Sequence, residues 1–446
     1  MSAMKAPSFR RQRSPGSNDV AVERPPRRAV PFRTIPRDPA LDSTFAFLRD
    51  PYRFISQRSS ALGSDLFETR IFLRRTLCMT GHDAAQLFYD PRCFERRDAT
   101  PRHVQQTLFG CGGVQGLDAI RHARRKQLFI AVLSPERVEE LARTVTQRLH
   151  VQARRWTGER SIVLYDELKQ ILTRSVCEWA GVPLEEHDVA ARTRALSALF
   201  EGTSAIGPKH WQARRRRRNE EHRYALLIDE IRRGVVEVPG HSAIACISRH
   251  RDERGWVLEH HTAAVELLNV LRPTVAVAVY MVLVALALEQ YGGRKAREPM
   301  SEVEGDWFVQ EVRRYYPFFP AVAARVRRSF TWRGFRFEQG QRVLLDLHGI
   351  NHDPRQWKHP QAFRPERFRS RREDPFDLVP QGGGSVAAGH RCPGESMTLA
   401  LMKVMLRFLT VSIDYDTHPQ DLTLDMRHLP AQPRNGLVLS NMRLRF

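Results

Sequence analysis

Apolar residues recur at helical spacing along most of the chain. They predict helices over Leu41–Ser60, His82–Tyr89, Ile120–Leu133, Pro135–Trp156, Leu164–Ala180, Asn219–Arg233 and Met397–Leu409. Ser134-Pro135-Glu136 is a strong helix start, with Ser as N-cap and Pro at the first helical position. Two stretches break the helical period. Asp65–Thr80 is rich in β-branched and aromatic residues and ends near Gly81, which predicts a short hairpin. Phe330–Leu347 has strand character with turn points at Gly334 and Gly340. The pattern predicts a mainly α protein with small marginal β-sheets, without internal repeats or a linker inside residues 33–446.

Thr262–Leu288 departs from the amphipathic norm, being apolar nearly all round, as a buried central helix would be. Arg272 and Pro273 sit in its middle. A helix-interior proline costs about 3 kcal/mol, and an unpaired buried arginine costs several more. The positions three and four away from Arg272 are Asn269, Leu268, Val275 and Ala276, none of them acidic. A carboxylate for Arg272 must come from elsewhere in the fold or from a ligand. Two adjacent violations point toward a functional site.

Composition adds a strong charge bias, with 71 Lys+Arg against 50 Asp+Glu and a formal net charge of +21 in 446 residues. Such an excess favours acidic partners without choosing among nucleic acid, anionic lipid and a carboxylate substrate. Part of it is local. Residues 1–37 hold nine Lys/Arg, two acids and six prolines, about a third of the excess, and 1–32 is expected as a flexible basic tail before a single domain at 33–446. The arginine run Arg214–Arg218, beside Trp211, reads as a solvated turn or helix start, since no nucleic-acid-binding signature accompanies it. The six cysteines form no Cys-x-x-Cys pair, and the N-terminus lacks an apolar signal core. The longest apolar run, Thr274–Leu288, is shorter than a membrane span of about 18 residues. A cytoplasmic protein without a transmembrane segment or nucleic-acid partner is expected.

The strongest chemical signal is Phe376–Glu395, FDLVPQGGGSVAAGHRCPGE. Glycines let the backbone approach a flat ligand and aim one thiol, Cys392, from a fixed loop. This loop resembles the haem-thiolate loop of the cytochrome P-450 superfamily, which implies that fold, haem b, and Cys392 as the axial iron ligand. Two further motifs stand in the superfamily's order. Glu311 and Arg314 in QEVRRYYP resemble its buried Glu-x-x-Arg pair, and Arg367 in Pro365-Glu366-Arg367-Phe368 resembles the arginine completing that ion network. All three are then scaffold residues.

The superfamily's central helix usually carries an acid–alcohol pair that delivers protons. Here Arg272 replaces the acid and Pro273 the threonine, while Thr274 is one position off and turned about 100° away. That replacement closely resembles the bacterial fatty-acid peroxygenases, over Phe32 to the C-terminus. Ser385 departs from the wider superfamily, which has phenylalanine seven residues before the cysteine. The resemblance implies hydroxylation of long-chain fatty acids at the α or β carbon by hydrogen peroxide, without an obligatory redox partner. Arg272 would bind the substrate carboxylate, which would serve as the acid–base group, and Pro273 would wall the pocket. Phe109 would line the acyl channel and Gln115 would face the substrate, glutamine there favouring hydroxylation over decarboxylation to terminal alkenes. His122, Arg125, Lys126 and His390 would hold the haem propionates. The alternatives are that decarboxylation, a reductase-dependent monooxygenase, and a haem sensor or basic polyanion binder.

Overall fold

The computed structural model describes residues 32–203, 207–292 and 298–445; the tail expected at 1–32 lies outside them except for Phe32. Its axis is a helix over His260–Tyr291, the central helix, in which every residue from Ala263 to Leu288 except Pro273 is buried. Helices Leu164–Ala180, Val189–Glu201, Pro208–Arg232 and Glu395–Arg407 pack around it. Burying each Leu or Val of this core is worth about 1.5–3 kcal/mol, which explains the uniform apolarity. The central helix is apolar and long enough to cross a bilayer, yet its apolar stretch is buried inside the fold.

The described residues form three small sheets. Strands Leu66–Ile71 and Arg74–Met79 pair antiparallel, Leu66 opposite Met79, through a turn in which Phe72 and Leu73 both take positive φ (54° and 59°). That turn matches the twist of a tight hairpin. The hairpin joins Arg342–Asp346 in parallel, and Ala321–Val326 and Phe94–Glu95 complete the five-stranded sheet. The expected Phe330–Leu347 segment forms a hairpin, Phe330–Trp332 with Phe335–Phe337, followed by the strand Arg342–Asp346. Ser161–Val163, Val438–Leu444 and Ile413–Asp416 form the third sheet.

Three local expectations change. Leu41–Ser60 is not one helix but two, Thr44–Arg49 and Phe54–Leu62. Pro51 lacks an N–H and disfavours helical geometry at Asp50, so the chain breaks there. The helix expected at Asn219–Arg233 begins eleven residues earlier and runs over Pro208–Arg232, taking in the whole arginine run. Ser134 does precede helix Pro135–Trp156, but its hydroxyl donates to Glu136 Oε2 at 2.7 Å instead of capping a backbone N–H.

Candidate functional site

Arg272 is 5% exposed, and among the described residues no carboxylate pairs with it. Its one hydrogen bond there runs from Nη2 to Asn269 Oδ1 at 3.5 Å, and its Nε is buried without a partner. Burial pushes its pKa down to about 9, helped by the nearby charge of Arg217 and opposed by Cys392. This is an under-solvated cation. Phe109 lies beside it, its ring centroid 5.9 Å from the guanidinium carbon. Pro273 is accommodated in a continuous helix and is partly exposed. Thr274 is turned away from this group: its hydroxyl donates to Val270 O at 2.8 Å and faces Met397 Sδ at 3.5 Å.

A buried polar chain holds these groups. Asn269 Nδ2 donates to Glu266 Oε2 at 3.0 Å and to Gln115 Oε1 at 3.3 Å. Glu266 is fully buried and pairs with Arg125 at 2.5 Å. Burial raises the Glu266 pKa, with Arg125 and Asn269 opposing the rise. The loop bearing Gln115 approaches the central helix closely: a side chain at Gly113 would put its Cβ 2.9 Å from Asn269 Nδ2 and 3.1 Å from Gln115 Oε1. Arg272, Phe109 and Gln115, far apart in sequence, therefore meet around one side of the central helix.

The cysteine loop is pinned from both ends. Cys392 N donates to Gln381 O at 3.0 Å. Glu395 accepts from Arg391 Nε at 2.6 Å and Nη2 at 2.9 Å, and also pairs with Arg313 of helix Glu302–Tyr315. Gly382 takes φ 95°, which favours glycine, and a Cβ there would crowd Tyr89 Oη at 3.0 Å. On the same helix as Arg313, Arg314 grips Glu311 with two bonds of 2.7 and 2.8 Å, and both side chains are fully buried. Arg367 Nε reaches Glu311 Oε1 at 3.1 Å, and Arg314 also donates to Asn351 O and Pro360 O at 3.1 and 2.9 Å. The three residues form one ion network, buried at Glu311 and Arg314 and reached by the partly exposed Arg367.

The residues expected at the propionates divide in character. Lys126 Nζ donates to Gly389 O at 3.1 Å and to Arg391 O, and burial lowers its pKa to about 8. Arg125 is committed to Glu266. The His122 and His390 rings lie with centroids 3.9 Å apart, tilted by 31°. Burial pushes their pKa values down to about 3 and about 4, with the His390 charge adding to the fall at His122 and Asp118 opposing it at His390. Arg96 escaped the sequence reading. It is 9% exposed over the Phe88 ring at 4.2 Å, with no carboxylate pairing with its guanidinium among the described residues, and burial lowers its pKa to about 10. Glu266, Asn269 and Arg217 were likewise unassigned; an acid inside an apolar helix was the one available signal, at Glu266.

These residues fit an iron macrocycle. Burial raises the Cys392 pKa, while the Gly394 N–H and the Lys126 charge favour its thiolate. Among the described residues no group of three or more His, Cys, Asp and Glu could hold a bare metal ion. One thiolate suits an iron whose other ligands come from the cofactor. Lys126 and Arg96, buried cations without a partner carboxylate among the described residues, suit its propionates.

The family model for Cytochrome P450 matches residues 305–433. Three solved structures resemble the whole fold. Cytochrome P450SP alpha (CYP152B1) in complex with (R)-ibuprofen is 46% identical, with 90% of this chain and 99% of that chain covered at TM-score 0.88. Cytochrome P450EX alpha (CYP152N1) with myristic acid is 40% identical, with 93% and 100% covered at TM-score 0.90. A single-residue variant of cytochrome P450 OleT in complex with arachidonic acid is 27% identical, with 93% and 99% covered at TM-score 0.89. The chain spans about a third of the length of the curated relatives it matches, such as cytochrome P450 4A10 of Rattus norvegicus, 25% identical over 37% of this chain and 35% of that protein. With a pinned cysteine loop, a buried Glu-x-x-Arg network and near-complete overlap with the CYP152 structures, the chain belongs to the fatty-acid peroxygenase family of haem-thiolate cytochromes P450.

Proposed function

We propose that this protein is a cytoplasmic peroxygenase that hydroxylates long-chain fatty acids at the α or β carbon with hydrogen peroxide. The observation that carries the reading is Arg272, a buried cation with an orphaned Nε and no carboxylate partner among the described residues. A fatty-acid carboxylate supplies the missing charge through charge-assisted hydrogen bonds. Three similar structures hold carboxylic acids, ibuprofen, myristic acid and arachidonic acid, which supports the same ligand class here.

Haem bound at Cys392 supplies the oxygen-transfer chemistry. Arg272 fixes the head of the substrate, so the carbons next to the carboxylate are the ones held nearest the reacting centre. The central helix offers no acid at Arg272 and no free hydroxyl at Thr274, so the bound carboxylate itself takes the acid–base part. Asn269, itself bonded to Gln115, orients the guanidinium, and Phe109 lines the acyl path. Gln115 carries an amide without a titratable proton, which favours hydroxylation over decarboxylation. One peroxide oxygen enters the C–H bond and the other leaves as water, so no external electrons are needed.

The test is incubation of the haem-loaded protein with myristic acid and hydrogen peroxide, without reductant, followed by mass spectrometry. Two- or three-hydroxymyristate is expected. Product formed only with a reductase and reduced nicotinamide would overturn the proposal.

A further inference from the structure

Helix Pro208–Arg232 has two unlike faces, and the site uses only one. The inner face carries Arg217, 1% exposed, which donates to Thr107 O at 3.0 Å and Leu108 O at 2.9 Å and so holds the turn that presents Phe109. The acids of this stretch also point inward: Glu220 pairs with Arg192, and Glu221 with Arg217 at 2.7 Å. Every exposed residue that is permanently charged between Lys209 and Arg223 is therefore basic. The signs are sorted by face rather than mixed as on an ordinary soluble surface.

Apolar groups accompany the cations. Trp211 is 67% exposed and Leu226 53% exposed, and neither belongs to a core cluster. Trp211, Arg215, Arg218, His222 and Leu226 follow one another at helical spacing, so they form one outward stripe. The cationic surface extends to the neighbouring helix, where Arg194 is exposed and its carbonyl accepts from Arg216 Nη1 at 3.3 Å.

We propose that this face docks the protein on an anionic phospholipid bilayer, the arginines against the headgroups and Trp211 at their level. Indole rings favour the membrane interface, and basic residues near an anionic leaflet each contribute about fivefold in partitioning. A nucleic acid would match the charge but gives Trp211 and Leu226 no apolar phase to enter. Docking would lay the outer face of the helix that holds the Phe109 turn against a source of long acyl chains; this consequence rests on the proposed function, while the docking itself does not.

The test is sedimentation of the full-length haem protein with sucrose-loaded vesicles, of phosphatidylcholine alone or mixed with phosphatidylglycerol. Binding is expected to the mixed vesicles only and to weaken as salt rises. Arg215→Glu with Arg218→Glu, both exposed and outside the site, should lower that binding at least about twenty-fivefold while the thiolate spectrum stays unchanged. Trp211→Ala should weaken vesicle binding and leave binding to a DNA duplex unaltered. Three results would overturn the proposal: no wild-type sedimentation at low salt, equal sedimentation of the charge-reversed variant, or a Trp211→Ala variant that binds vesicles like wild type. None of these depends on turnover, so they stand apart from success or failure of the peroxygenase assay.

Discussion

Arg125 Nη1 stands 2.5 Å from Glu266 Oε1, both buried, and ties the helix of Lys126 to the central helix upstream of Arg272. Through Asn269 the same carboxylate orients Gln115 and Arg272. Breaking such a pair from one side strands a buried charge, which costs about 3–5 kcal/mol. Glu266→Gln should therefore lower the unfolding free energy of the haem protein, read from urea titration, by that order. Adding Arg125→Met should recover most of the loss, and the coupling is read from the double-mutant cycle. Additive losses would show that the pair does not act as a unit.

Arg217 closes three bonds at once, two to the carbonyls of Thr107 and Leu108 and one from Nε to Glu221 Oε1 at 2.7 Å. A lysine keeps the charge but not the planar fork. Arg217→Lys should loosen the Gln105–Phe109 turn and raise KM for long-chain acids several-fold. The thiolate spectrum should persist, since no contact of Arg217 reaches the cysteine loop. An unchanged KM with a lower unfolding midpoint would mean that Arg217 serves stability alone.

Behind the loop, His352 Nδ1 lies 2.9 Å from His348 O, and the two rings are 4.2 Å apart. Burial, with the Arg314 charge adding to it, pushes the His352 pKa down to about 4. Unfolded histidine titrates near 6.5, so between about 4 and 6.5 the unfolded chain binds more protons at this site than the folded one. Stability from His352 is then complete above about pH 6.5 and is lost as pH falls toward 4, by about 1.4 kcal/mol per pH unit. Asp346 works in the opposite sense, because burial raises its pKa to about 7. The comparison must therefore be between wild type and His352→Gln. The variant should lose less stability on acidification, and parallel pH profiles would refute the assignment.

Much of the site was legible because its signals are local. Cys392 sits in a glycine-bracketed loop, Glu311 and Arg314 are three apart on one helix, and Arg272 interrupts an apolar run. The rest depends on contacts between distant segments. Nothing near Arg125 indicates a partner 141 residues away at Glu266. Within the arginine run only Arg217 falls on the inward face, a matter of how the helix packs. The close approach of the His122 and His390 rings and the burial that lowers both pKa values depend on packing, which no spacing reveals. The break between Thr44–Arg49 and Phe54–Leu62 has a local signal too, at Pro51, which the apolar spacing alone does not weigh.

Arg272 separates substrate-assisted chemistry from an ordinary structural cation. If it anchors the carboxylate and that carboxylate supplies the acid–base group, Arg272→Ala removes both together. A charge-assisted bond in a buried site is worth a few kcal/mol, and about 1.4 kcal/mol is tenfold in rate, so peroxide-driven oxidation should fall by at least about a hundredfold. Haem content and the thiolate spectrum should persist. Stability should not fall, because the wild-type guanidinium is buried without a carboxylate partner among the described residues. In the wild type, a non-carboxylate substrate should turn over poorly until a short-chain acid is added to occupy Arg272, whereas the variant should show no such rescue. Lost stability with unchanged activity per folded haem, and no rescue in either protein, would assign Arg272 a structural role and leave the haem-thiolate centre untouched.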